Sequence, residues 1–371
     1  MREYLLVFLV AGVASYLLCV VARELAIRSG AVARVRDRDV HATPIPYFGG
    51  VAMLGGLAAG ILLAHHLPFL STSGEAVFHD AGWVLAAGAM ICAVGVLDDL
   101  IELDALTKLG GQIVAAGVLV LNDVKFYSVK LPVYGQFVLD PTQSALLTIL
   151  LVVSTMNAVN FVDGLDGLAG GVVLIGSLAF FVFCYKLADA NGYTLAITAA
   201  LLCAAMGGAC AGFLPHNFFP ARIFMGDSGS MLLGLVLAGS ALTLTGQFAD
   251  VSVNANGNSS VLVMLLPILL PITILIVPLA DLVLAVVRRT RRGQAFYQPD
   301  KEHLHHRLLE IGHSQRRAVL IMYLWAGLIA FGAVLVSLYS GPATWTALVL
   351  GIAATLVLTF LVPRLQRPGE V

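Results

Sequence analysis

Five acids and three histidines carry most of the chemistry this sequence could perform. Asp98 and Asp99 are adjacent. Asp163 and Asp166 fall in NAVNFVDGLDGLAGG (157–171) beside Asn157 and Asn160, Asp227 lies in FMGDSGS (224–230), and His303, His305, His306 and Arg307 form HLHHR (303–307). Crowded carboxylates repel and persist only with a neutralising cation. Oxygen donors with open positions suit Mg²⁺ or Mn²⁺, above all when phosphate oxygens complete the shell. Arginines and histidines nearby suit the holding of phosphates by charge-assisted hydrogen bonds. Acid cluster, hard divalent cation and basic loop together imply phosphoryl-transfer chemistry.

Each motif also has a plainer reading. Asp98-Asp99 could be a solvated helix end. Asp163 and Asp166 are spaced i, i+3, as are Asn157 and Asn160, so each pair is expected to share one helical face. Four polar side chains packed between apolar stretches are hard to explain by structure alone. Gly164, Gly167, Gly170 and Gly171 would let a phosphate approach the backbone, or would serve close helix packing. Asp227, between Gly226 and Ser228, begins an apolar run where it would either serve a ligand or cap a helix. The HxHH run could hold zinc, but no cysteine accompanies it and its neighbours are Lys and Arg, which favours phosphate or sugar.

The elements that must position these groups are apolar. Eleven stretches are long enough to span a bilayer, roughly 4–24, 48–65, 81–97, 107–121, 142–160, 167–187, 193–213, 229–247, 259–283, 316–338 and 342–362, since a span needs about 20 mostly apolar residues. Seventeen of the 21 Lys and Arg residues fall in the odd-numbered connections, the end of the first span and the C-terminal tail. Only Arg2, Lys125, Lys130 and Lys186 remain for the other side. Basic residues mark the cytoplasmic face, so the N-terminus is expected outside and the C-terminus in the cytoplasm. The odd connections, about 25–47, 98–108, 157–171, 214–228 and 284–315, contain every reactive cluster and must meet on one face of the bundle. The expected architecture is an all-α integral membrane protein, a single multi-span domain over 1–371 in the plasma (inner) membrane.

Composition excludes the alternatives. With 59% hydrophobic and 12% charged residues and mean hydropathy +0.92, the chain could not fold as a soluble domain. A net charge of −1 argues against a nucleic-acid partner. The first span is too long for a cleaved signal peptide and lacks a small-residue cleavage site, so it reads as a retained helix. The five cysteines lie in apolar stretches without CxxC spacing and read as small buried hydrophobes. Of the outer connections, 65–80 carries isolated histidines, 123–139 alternates around Pro132 and Gly135 as a small β-hairpin would, and 247–258 is a polar loop. A transporter would place ionisable groups at mid-bilayer in broken helices. Spans 2, 5, 6, 7, 8, 10 and 11 carry almost no charge away from their ends, which favours an enzyme.

The order of the motifs, DD (98–99), NAVNFVDGLDGLAGG (157–171), FMGDSGSMLLG (224–234) and DKEHLHHRLLEIG (300–312), closely resembles the polyprenyl-phosphate N-acetylhexosamine-1-phosphate transferase family. The resemblance runs from about Val40 to Gly312. HLHHRLL looks like the WecA/TagO-like branch, which transfers N-acetylglucosamine-1-phosphate. The MraY-like branch, which transfers phospho-N-acetylmuramoyl-pentapeptide, typically shows three consecutive histidines, a run that Leu304 interrupts here. The chain departs from the family at Tyr47 and Phe48, where members often carry a basic residue.

The resemblance implies roles for matching positions. Asp227 would be the main Mg²⁺ carboxylate, with Asn160 as partner and Mn²⁺ as a substitute ion. Asp98 and Asp99 would be the catalytic acidic pair, Asp98 being the better candidate to deprotonate the acceptor phosphate. Asp163, Gly164, Leu165 and Asp166 would line the nucleotide pocket, the two acids counting among the catalytic groups, with Phe224 stacked on uracil and Asn217 beside it. His303, His305, His306 and Arg307 would grip the sugar and pyrophosphate. UDP-N-acetylglucosamine would give up its sugar phosphate to an undecaprenyl or decaprenyl phosphate, with loss of UMP. A phospho-aspartate intermediate, an MraY-like substrate and a non-catalytic transporter of lipid-linked sugar stay open as alternatives, and a homodimer is allowed. Pro267, Pro271 and Pro278 would bend the ninth span and open a groove along Leu270 for the isoprenoid tail, unless they are prolines of an ordinary membrane helix.

Overall fold

The computed structural model describes residues 1–33, 44–131, 135–191, 195–245, 290, 313–339 and 341–360. Over these the chain is mostly helical: α1 (Arg2–Ser29), α2 (Gly49–Ala64), the single turn α3 (Pro68–Ser71), α4 (Glu75–Ile101), α5 (Ala105–Leu121), α6 (Pro141–Val162), α7 (Leu168–Asn191), α8 (Leu195–Asn217), α9 (Gly226–Thr245), α10 (Gln315–Leu338) and α11 (Pro342–Phe360). Eight of them are long and apolar enough to cross a bilayer, and α2 and α5 are shorter apolar helices. Every span expected from the sequence coincides with one of these helices except 259–283, which lies outside the described residues. The outer loop 247–258 lies outside them as well.

Local signals explain where the helices begin. Asp104 caps α5 by accepting from the amides of Leu106 and Thr107, each at 3.0 Å. Asp140 and Gln143 form a reciprocal capping box ahead of α6, with Pro141 in its first turn. Between α5 and α6 the expected hairpin is present: β1 (Ser128–Leu131) pairs antiparallel with β2 (Gly135–Val138), Ser128 opposite Val138. The amide of Phe126 donates to Thr148 Oγ1 at 3.1 Å, which ties the base of the hairpin to α6.

Packing is arranged around α8 and α9. Helix α8 lies against α1, α2 and α7, while α9 is gripped by α4, α6 and α2. Both α8 and α9 are almost wholly buried, whereas α11, which touches α10, leaves most of its apolar side chains exposed. Large apolar residues also line the outside of α1, among them Leu5, Leu9, Val13 and Leu17. Exposed apolar surface on this scale fits a protein solvated by lipid. The approach at the start of α9 is close enough to require small residues: a Cβ on Gly95 of α4 would lie 2.3 Å from Ser228 Cα, and one on Gly50 of α2 would lie 2.2 Å from the Gly229 nitrogen.

One expectation is corrected. Asp163 and Asp166 do not share a helical face, because α6 ends at Val162 and 163–167 forms a turn before α7. Asp163 takes the C-cap position with ψ 50, and Gly167 enters α7 with φ +78, a left-handed conformation that glycine adopts without strain. Asn157 and Asn160 do share a face of α6, each bonding inward to a neighbouring helix.

Candidate active site

The first turn of α9 is the centre of the site. A helix start leaves unpaired amides and a partial positive charge, and the carboxylate of Asp99, reaching across from α4, takes up two of them. Its Oδ1 accepts from the Asp227 amide at 2.9 Å and its Oδ2 from the Ser228 amide at 3.4 Å. Gly226, with φ +66, makes this possible: a Cβ there would sit 2.4 Å from Asp99 Oδ2. The capping role that the sequence left open for Asp227 therefore belongs to Asp99. Asp227 is free to point its carboxylate away from its own backbone.

That carboxylate meets two other helices. Asn160 of α6 donates through Nδ2 to Asp227 Oδ1 at 2.8 Å and lies 2.9 Å from Ser230 Oγ. Lys108 of α5 contacts Asp227 Oδ2 and also pairs with Asp98 Oδ2 of α4 at 2.9 Å. Asp98 Oδ1 accepts from the Leu103 amide at 2.9 Å just beyond the end of its helix. One ammonium thus bridges two carboxylates whose side chains are only 13% and 22% exposed. Lys108 is a site residue that the motifs do not reveal, because a single lysine near a helix start carries no signal beyond membrane topology.

The second region is the 163–167 turn, held against the α8–α9 connection. Asp166 is buried, and its Oδ2 accepts from the Ala221 amide at 2.9 Å. Asn217 is buried with both ends of its amide in use: Oδ1 accepts from Gly167 N–H and Nδ2 donates to the Ile223 carbonyl, both at 2.9 Å. The Tyr323 hydroxyl of α10 donates to the Gly167 carbonyl. Leu165 is buried beneath the turn, Gly164 is exposed at its tip, and Asp163 is half-buried. Burial, with the charges of Asp227, Asp99 and Asp166 added, pushes the Asp163 carboxyl up to about 8. Phe224 is held by backbone bonds to Pro46 and Gly49, its half-buried ring 6.2 Å from that of Tyr47.

Asp98, Asp99, Asn160, Asp163, Asp166 and Asp227, scattered over three motifs, thus come together at one end of the bundle. His303, His305, His306, Arg307, Pro267, Leu270, Pro271 and Pro278 lie outside the described residues.

The donors suit a hard divalent cation. Asp98 and Asp227 offer carboxylate oxygens, and Asn160 offers its amide oxygen once the side chain is turned over. Among the described residues no three His, Cys, Asp or Glu side chains form a metal-binding group, so most of an octahedral shell would remain for water and phosphate oxygens. The Lys108 ammonium, lodged between the two carboxylates, shows that the pair accommodates positive charge between them.

The apolar helices mark a multi-pass membrane protein, and comparison with known proteins makes it a transferase. The chain belongs to glycosyl transferase family 4, whose profile matches residues 82–245. It is 48% identical over 373 residues to the decaprenyl-phosphate N-acetylglucosaminephosphotransferase of Mycobacterium tuberculosis, covering 100% of this chain and 91% of that one. It is 32% identical over 334 residues to the probable undecaprenyl-phosphate N-acetylglucosaminyl 1-phosphate transferase of Bacillus subtilis (90% of this chain, 85% of that one). The phospho-N-acetylmuramoyl-pentapeptide-transferase of Mycobacterium bovis is 32% identical over 282 residues, covering 66% of this chain and 77% of its own.

Proposed function

We propose that this protein transfers N-acetylglucosamine-1-phosphate from UDP-N-acetylglucosamine to a polyprenyl phosphate, releasing UMP and leaving polyprenyl-diphosphate-N-acetylglucosamine in the membrane. The observation that carries the reading is the convergence of Asp98, Lys108 and Asn160 on Asp227 at the start of a buried helix. The 48% identity to an N-acetylglucosaminephosphotransferase over the whole of this chain supports the choice of sugar.

An oxygen of the polyprenyl phosphate attacks the sugar-linked phosphorus of the donor. The new P–O bond forms as the bond to the bridging oxygen breaks, and that oxygen leaves with UMP. The difficulty is electrostatic, since negatively charged phosphates must converge. Asp227 and Asn160 would hold Mg²⁺, which supplies charge neutralisation on the diphosphate. Lys108, freed from one carboxylate, meets phosphate charge from the α5 side. Asp98 accepts the acceptor's proton when the phosphate arrives protonated, and Asp99 positions Asp227 through the backbone of α9. The Asp163–Asp166 turn and Phe224 frame the nucleotide, with Asn217 acting as a brace beneath them. Roles for His303, His305, His306 and Arg307 in gripping sugar and pyrophosphate, and for the 259–283 segment in guiding the isoprenoid tail, rest on the sequence motifs.

The chain is read as one domain of eleven spans, N-terminus outside and active face in the cytoplasm, on the strength of its basic-residue asymmetry. Single cysteines placed near residue 2 and residue 365 of a cysteine-free background should be labelled from opposite sides of sealed vesicles. The activity is tested by incubating membranes with radiolabelled UDP-N-acetylglucosamine, Mg²⁺ and decaprenyl phosphate. A chloroform-soluble labelled product with release of UMP is expected. No such product from active-site-intact, folded protein would overturn the proposal.

A further inference from the structure

Directly beneath the acidic site lies a second polar layer that the reaction does not touch. Asn157 Nδ2 donates to Gln112 Oε1 at 2.8 Å, and Gln112 Nε2 lies 3.4 Å from both Asn157 Oδ1 and Met231 Sδ. Gln112 is 1% exposed. The layer is built from three of the four helices that form the site above it, one turn deeper. Gln112 follows Lys108 by four residues on α5, Asn157 precedes Asn160 by three on α6, and Met231 follows Asp227 by four on α9. Residues three or four apart stand one above the other on a helix. Rotation or sliding of α5 or α6 that broke the lower pair would therefore also carry Lys108 or Asn160 away from Asp227.

Asn157 Nδ2 also donates to the Val153 carbonyl one turn back on α6, at 2.8 Å, so the bond to Gln112 is the one that ties α6 to α5, and it is directional where the surrounding apolar packing is not. A leucine pair would fill the space equally well and hold no register. The upper layer cannot hold its own register either: its charged groups must change partners when phosphates and cation enter. We propose that the Gln112–Asn157 pair is a positioning device, fixing the rotation of α5 and α6 against α9 so that Lys108 and Asn160 are presented to Asp227 throughout turnover. The proposal rests on the transferase reading of the site above.

The test is a length exchange. Gln112→Asn makes the pair one methylene too short and Asn157→Gln makes it one too long, while the double variant restores the combined length. Each single variant should lower kcat about 10-fold, since misplacement of catalytic groups by an ångström costs up to about 100-fold. Each should also weaken direct Mn²⁺ binding, read by titration calorimetry in the absence of substrates, with KM for UDP-N-acetylglucosamine little changed. The double variant should recover to within about 3-fold of wild type on both readouts, the non-additivity expected of residues in contact. Thermal unfolding of all four proteins keeps misfolding apart from mispositioning, and a single variant that fails to fold while the double variant folds and works supports the pairing equally. Singles with wild-type kcat and Mn²⁺ affinity, or a folded double variant whose losses simply multiply, would overturn it. Absence of transfer by the wild-type protein would instead sink the transferase reading, while the Mn²⁺ measurement would still judge the pair.

Discussion

Replacing Lys108 by methionine removes the cation that bridges Asp98 and Asp227 while keeping most of its volume. Lys108 Nζ lies 2.9 Å from Asp98 Oδ2 and contacts Asp227 Oδ2 from the same position, with all three side chains at most a quarter exposed. At an effective dielectric constant of about 20, a contact at 2.9 Å is worth about 6 kcal/mol before desolvation, and without it the two carboxylates repel each other. Part of the attraction is offset by the desolvation of the lysine itself, so the loss of one partner from a mostly buried cluster costs about 3 kcal/mol. In EDTA the detergent-purified Lys108→Met protein should unfold about 4 °C below wild type. Saturating Mg²⁺ should return most of that difference, because the divalent ion takes over the neutralisation of the carboxylates. Activity should stay about 10²- to 10³-fold down even in Mg²⁺, since a preorganised cation facing the phosphates is gone. The assay is thermal unfolding with and without Mg²⁺, followed by turnover on the same samples. Equal unfolding temperatures for wild type and Lys108→Met in EDTA would refute the bridge, and an equal deficit with and without Mg²⁺ would refute the idea that the ion shares its place.

Asp227→Asn should lower kcat by about 10²–10⁴-fold, and calorimetry should show the corresponding loss of Mn²⁺ binding. Gly226→Ala introduces a Cβ 2.4 Å from Asp99 Oδ2 at φ +66; it should cost at least about 2 kcal/mol, seen as a lower unfolding temperature together with lost activity. The Asp163 carboxyl titrates near 8 in the folded, metal-free protein against about 3.9 unfolded, so its contribution to stability is fully present below pH 4 and is lost as pH rises through 8. Unfolding of the metal-free protein between pH 5 and 8 should show that decline, and Asp163→Asn should flatten it. At pH 7 the same protonated carboxyl should release its proton when Mg²⁺ binds nearby, measured as a dependence of calorimetric heat on buffer ionisation enthalpy.

Much of this site was legible because polar residues in an apolar chain have few reasons to be there. Asp98, Asp99, Asn160 and Asp227 stand out against their surroundings, and their order along the chain identified the family. What the sequence hid was partnership. The cap of α9 looks local, yet it comes from Asp99, 128 residues away from the amide it receives. Lys108 stands in the sequence as one more basic residue of an odd-numbered connection, since nothing in LTKLGG marks a bridge between two distant acids. The i, i+3 spacing of Asp163 and Asp166 promised a helical face, but the spacing does not register that Gly164 and Gly167 favour a turn. Gln112 has no meaning in isolation; it gains one only when α5 is laid against α6.

The burial of α9 gives these long-range partnerships a common cause. A helix enclosed on nearly all sides cannot let water satisfy its first amides at the membrane boundary, so a side chain from another helix must do so. Asp99 meets that need only if α4 comes very close, which is why Gly95 faces Ser228 and why Gly226 takes a left-handed conformation. Once Asp99 has satisfied the amides, Asp227 sits at the positive end of α9 with its carboxylate directed at Lys108 and Asn160. The geometry needed for phosphate chemistry is then set by helix packing before any substrate binds, so little reorganisation is left for the reaction itself. Substitutions at Gly95 or Gly50, neither of which bears a side chain that could touch substrate, should for that reason reduce turnover as severely as changes to the acids.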